Sequence, residues 1–196
     1  MGLAVAFARR SVRDMNSILK GSVALLASAT LGACATGATP EAMSVAVPTS
    51  KAQAMPQPLR GRVVVKDVIG GSETNPMLKS NISSAAFQSA LDASLKNAGL
   101  AAPDTKSGRY DLTATIQAVE QPTFGFNMTV TARVHYELFE RTTQKSAWEK
   151  TVTMPYTATV SDAVFGPERL RLANEGAARL NIESFLDELA RSGPAR

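Results

Sequence analysis

The chain has 196 residues, 44% hydrophobic and 19% charged, which suits one globular domain with additional segments and excludes wholesale disorder. One Cys excludes an intramolecular disulfide, and with His135 the only histidine no Cys/His metal cluster can be assembled, so no metal and no cofactor are expected. Four of the 21 Lys and Arg, but only one of the 17 Asp and Glu, precede Cys34; the rest is therefore nearly neutral and lacks the basic stripe of a nucleic-acid interface.

Residues 1–33 read as a signal peptide. Lys20 flanks an apolar run from Val23 to Leu31, and the small residues Gly32 and Ala33 precede Cys34. A positive flank, a short apolar core and a small-residue cleavage site are the parts of a secretory leader. The core is far shorter than the roughly 20 residues that span a bilayer as a helix. A start at Met15 would give a leader of ordinary length.

Leu31-Gly32-Ala33-Cys34 resembles the lipobox of bacterial lipoproteins. The resemblance implies a diacylglyceryl group on the Cys34 sulfur, cleavage just before it, and acylation of the new amine. Two or three acyl chains on one residue anchor stably, whereas a single chain binds only marginally. Ala35, standing where an inner-membrane retention signal would carry Asp, implies by the same resemblance the periplasmic face of the outer membrane.

Residues 34–58 are rich in Ala, Thr, Ser and Pro, with few large apolar residues beyond Met43, Val45, Val47 and Met55. This composition predicts a flexible tether carrying a single α+β domain over residues 59–196. The segment RVVVKDVI predicts a first strand, bounded by Gly70 and Gly71. Phe87, Ala90, Leu91, Ser94, Leu95 and Ala98 recur on one helical face, with Ser83 or Ser84 as cap and Gly99 as terminator.

Three alternating segments follow. Tyr110, Leu112, Ala114, Ile116 and Ala118 share one face, as do Phe126, Met128, Val130, Ala132, Val134, Tyr136 and Leu138. Trp148, Val152, Met154, Tyr156, Ala158 and Val160 form the third set. Period-two alternation with wet opposite faces predicts an antiparallel meander, and Pro155 predicts an edge position for its last strand. A last helix is expected from Pro167 to Arg191, with a close backbone approach at Gly176. The order is β-α-β-β-β-α, a two-layer sandwich with two helices on one face of the sheet.

Candidate contact residues fall in two places. Phe124 sits in a predicted turn and Phe165 in the loop before the last helix, where exposed aromatics mark contact surfaces. The stretch PERLRLANEGAARLNIESF puts Arg169 and Arg171 near the positive end of a helix dipole, which does not favour them. With Asn174, and Asn181 one heptad on, they suggest a partner-facing edge. His135 lies on a Thr-rich strand face between Arg133 and Glu137, with no nucleophile motif nearby, so no catalytic residue is assigned.

In strand order the domain is similar to the lipopolysaccharide-assembly lipoprotein and to lipoprotein activators of penicillin-binding proteins. That resemblance implies a non-enzymatic accessory or adaptor in cell-envelope assembly, bound to the membrane by its acyl chains and to an envelope protein by its domain. Two alternatives stand beside it: a lipid-transport auxiliary lipoprotein with an apolar ligand, and an envelope enzyme. An enclosed apolar cavity would mark the carrier. A filled core under exposed aromatic loops would mark the adaptor.

Overall fold

The structure, a computed structural model, describes residues 35–75 and 79–194. Four strands, β1 (Val63–Ile69), β2 (Tyr110–Glu120), β3 (Met128–Glu140) and β4 (Lys145–Ala158), form one sheet in the order β1-β2-β3-β4. Two long helices, α3 (Ser84–Asn97) and α4 (Gly166–Ser192), cover one face, α3 over β1 and α4 over β3 and β4. The α+β two-layer sandwich is the expected one. β2, β3 and β4 make the antiparallel meander, and β1 adds to it in parallel because α3 carries the chain back to the starting end.

The alternation places Tyr110, Leu112, Ala114, Val130, Val134, Tyr136, Leu138 and Trp148 in the core, beneath Phe87, Leu91, Ile182, Phe185 and Leu186 from the helices. Tyr136 stacks on Phe185 with ring centroids 4.2 Å apart. Bulges break the pattern. In β2 the register shifts between Ile116 and Ala118, so Val119 rather than Ala118 falls opposite buried Ala132. The expectation for Ala118 was one position out of phase for that reason. β4 stops at Ala158, and Val160, expected inside it, is exposed in the following loop.

Caps and close approaches follow local chemistry. Ser83 Oγ accepts from the Ala86 amide at the start of α3, and Gly99 takes φ 69° at its end. Pro155 lies on the outer edge strand, as its missing N–H requires. At Gly176 a Cβ would fall 2.2 Å from Tyr156 Cδ1, so the ring of Tyr156 packs onto the helix backbone.

The main correction concerns residues 34–58. Cys34 lies outside the described residues, but from Ala35 onward the chain is not a free tether. It forms α1 (Pro40–Met43), α2 (Thr49–Ala54) and a 3-10 turn (Gln57–Leu59). Met43, Val45, Met55 and Leu59 are buried in the main core, and α1 lies against both α3 and α4. Ser94 Oγ accepts from the Val45 amide at 2.9 Å, and Asn97 Nδ2 donates to its carbonyl at 2.8 Å. The Ala42 carbonyl accepts from Arg179 Nη1, and Lys51 Nζ lies 2.6 Å from Asp187 Oδ1. Each buried apolar side chain contributes about 1.5–3 kcal/mol. A few well-placed large residues thus dock a segment whose average composition is that of a linker.

Candidate functional site

The β2–β3 hairpin loop and the β4–α4 loop meet at one end of the sheet, and a single side chain joins them. Arg169, in the first turn of α4, is buried. Its Nη1 donates to the Ala163 carbonyl at 2.8 Å and to that of Val164, and its Nη2 donates to the Gly125 carbonyl at 3.4 Å. A guanidinium with a fixed fork of donors suits three carbonyls on two loops. This explains a cation at the helix end that the dipole disfavours.

The loops so held carry apolar tips. Phe124 is 86% exposed, Phe126 84%, Val164 76% and Phe165 76%. Of the six exposed large hydrophobics among the described residues, five are in these loops, with Val160 the fifth. Residues 121–132 contain no charged side chain. The one charge in residues 159–167, Asp162, is turned to capping: its Oδ2 accepts from the Thr159 amide and hydroxyl, which hold the carboxyl below its ordinary range. Such a group of exposed apolar tips is a candidate contact surface. Phe124 and Phe165 lie in it, exposed in the loops where the sequence places them. Phe126, assigned to the core by alternation, belongs to it too, because β3 begins only at Met128 and leaves Phe126 in the loop.

The polar candidates have other roles. Asn174 is fully buried, so its place on a partner-facing edge is corrected. Its Oδ1 accepts from Gln121 Nε2 at 2.6 Å and its Nδ2 donates to the Ser80 carbonyl at 2.9 Å. Asn181 is equally buried, accepting from Tyr136 Oη and donating to the Ala132 and Val152 carbonyls. Arg171 sits between Glu168 and Glu175, and its hydrogen bonds hold the Glu168 carboxyl below the usual range. Glu175 Oε1, also facing Arg171, accepts from the Thr39 amide at 3.0 Å and from the Thr39 hydroxyl. These residues organise the fold, and the sequence shows only that they are polar and helical.

Two further surfaces carry chemistry. The sheet face opposite the helices presents Thr129, Arg133, Thr151, Thr153 and Thr157, with His135 Nδ1 3.1 Å from Thr151 Oγ1. A surface cavity of about 440 Å³ lies beside the β2 bulge, lined by residues that include Lys79, Asn81, Gln117 and Gln121. Gln121 Oε1 is buried there without a hydrogen-bond partner. Among the described residues, no group of three His, Cys, Asp or Glu could hold a metal ion, and no helix is long and apolar enough to cross a membrane.

No protein-family model matches the chain, and no curated protein matches it. Solved structures do. A Xanthomonas campestris protein of the DUF330 family is 12% identical with a TM-score of 0.48, over 69% of this chain and 89% of that one. A Caulobacter crescentus protein assigned as a lipoprotein is 12% identical with a TM-score of 0.46, over 72% and 91%. The PelC dodecamer of Paraburkholderia phytofirmans is 18% identical with a TM-score of 0.46, over 67% and 90%. Lipoproteins are thus among the proteins this chain is similar to. The likeness is weak in sequence and geometry, and no residue role passes across it.

Proposed function

We propose that this chain is a lipid-anchored accessory protein of the bacterial cell envelope. Acyl chains on Cys34 hold it at the periplasmic face of the outer membrane, and its domain acts by contact with another envelope protein rather than by catalysis. One observation carries this reading: Leu31-Gly32-Ala33-Cys34 stands immediately ahead of a packed domain whose polar clusters are committed to its own architecture. The open, threonine-rich sheet face, covered by no described element, is the surface offered to the protein partner. The carrier alternative is less well supported, since Lys79, Asn81, Gln117 and Gln121 give the cavity a polar lining unsuited to an acyl chain.

The test is in-cell crosslinking and purification of the tagged full-length protein. A defined envelope protein is expected with the wild type, and its recovery falls in the face variants Thr153→Glu and Thr131→Glu, both folded. Equal recovery from wild type and face variants sinks the proposed surface. Recovery of no envelope protein sinks the adaptor reading altogether.

A further inference from the structure

The course of the N-terminal segment decides how the domain stands on a membrane. Residues 39–56 run alongside α4 from Glu175, which binds Thr39, to Gly193, whose Cβ position lies 2.9 Å from Pro56 Cγ. Traced backward, the chain therefore heads for the start of α4, the end that carries the aromatic loops. Ala38 donates to the Asn81 carbonyl at 3.2 Å, and Gly37 packs on Thr74. Ser80, beside Asn81, is hydrogen-bonded to Gln121 at the base of the hairpin loop. The described chain thus ends, at Ala35, three residues beyond its contact with the Asn81 segment, on the side of the domain where the hairpin loop lies.

We infer that the tips Phe124, Phe126, Val164 and Phe165 are a lipid-facing surface that inserts at the headgroup boundary of the membrane to which Cys34 is attached. The inference rests on the lipid-anchor reading of Cys34 and adds an orientation to it. Three features select a lipid surface as the occupant. Only four steps of chain separate Cys34 from Ala38, which is already bonded to the Asn81 carbonyl, so the link from anchor to domain is short. The tips share the end from which that short link leaves. They also form an uncharged aromatic cluster, apart from the capped Asp162, held rigid by Arg169 rather than left to collapse. Side chains of this type partition to the acyl–headgroup boundary, where they add a second signal to the acyl chains. The domain then rests on the bilayer with the sheet roughly upright and its threonine-rich face directed sideways, free for a protein partner.

The test uses full-length protein reconstituted in vesicles of phosphatidylethanolamine and phosphatidylglycerol carrying spin-labelled lipid. Phe124→Trp and Phe165→Trp serve as reporters, with Thr142→Trp, in the turn at the opposite end, as control. Lipid quenching of both loop reporters by roughly twofold or more, with the control unaffected, is the expected result. Loop reporters as open to aqueous iodide as the control, in protein that sediments with the vesicles, overturn the inference while leaving the anchor intact. Burial in native envelopes but not in lipid vesicles also overturns it, in favour of a protein occupant. Intact mass of the wild type tests the anchor separately. A bare Cys34 sinks the anchor reading and, with it, the orientation inferred from it.

Discussion

Asn181 should be the polar residue on which the core depends most, and its partner Tyr136 allows a prediction of sign. Asn181 is fully buried and makes three hydrogen bonds: from Tyr136 Oη at 2.8 Å, and from its own Nδ2 to the Ala132 and Val152 carbonyls at 2.9 and 3.0 Å. Asn181→Leu keeps the volume and removes all three. At about 1 kcal/mol net for each bond, with part of the desolvation cost of the orphaned Tyr136 hydroxyl added, the loss is about 3–4 kcal/mol. Tyr136→Phe alone leaves Asn181 Oδ1 without its donor and costs about 1–2 kcal/mol. In the Asn181→Leu background the same change removes the orphaned hydroxyl and should restore about 1–2 kcal/mol, since the stacking on Phe185 is kept. Urea unfolding followed by Trp148, the sole tryptophan, measures each step. If the two changes simply add, the hydroxyl is satisfied elsewhere and the reasoning fails.

Four more expectations are open to measurement. Gly176→Val should destabilise by more than about 2 kcal/mol, because Tyr156 occupies the space of any Cβ; a thermal midpoint equal to wild type would refute that contact. Glu175→Ala should cost about 2–3 kcal/mol and raise hydrogen exchange over residues 38–45, since its carboxylate holds Thr39 as well as Arg171; unchanged exchange there would show the segment is fixed by its apolar residues alone. Acid should weaken the fold. Glu168 held by Arg171, Glu140 by Arg109, Asp104 by the Ser107 and Lys106 amides and Asp162 by the Thr159 amide all lie below their ordinary range. Their stabilisation is complete above the unfolded carboxylate range near pH 4 and is lost as pH falls through the lower folded values. Asp92, raised by burial, works in the opposite direction, alone among the carboxylates of the described residues. A midpoint that rises between pH 5 and pH 3 would contradict this. Cys34→Ser should release the protein from membranes with the thermal midpoint unchanged, because the contacts that dock the segment, at Ala38, Thr39 and Met43, do not involve Cys34; unaltered fractionation would count against the anchor.

Much of the architecture was written locally. The alternation in residues 110–118, 128–138 and 148–158 is a face-by-face record of burial, and the only errors follow from bulges and strand ends. A bulge at Gln117 leaves no mark in residue type, so Ala118 and Val119 exchanged faces unannounced. Phe126 continued the parity of β3 but lies beyond its first residue, where parity no longer implies the core. Pro155 and Gly176 were legible because each lacks something, an N–H or a Cβ, and the lack permits few positions.

The buried polar residues were not legible. Asn174 and Asn181 look like a wet helical edge until Ser80, Gln121 and Tyr136 arrive from distant parts of the chain to satisfy them. Arg169 likewise gains its role only when two loops bring three carbonyls within reach of one guanidinium.

By itself the sequence determined the strand and helix order and the apolar faces, since each depends on neighbours within a few positions. Only the tertiary structure decided that residues 38–59 belong to the core, that β1 joins in parallel, and that the aromatic tips of two loops gather at one end of the sheet. Those outcomes depend on contacts between segments separated by 40 residues or more, such as Ala38 with Asn81 and Thr39 with Glu175. Composition averages over such contacts, and a fold is made by the particular ones.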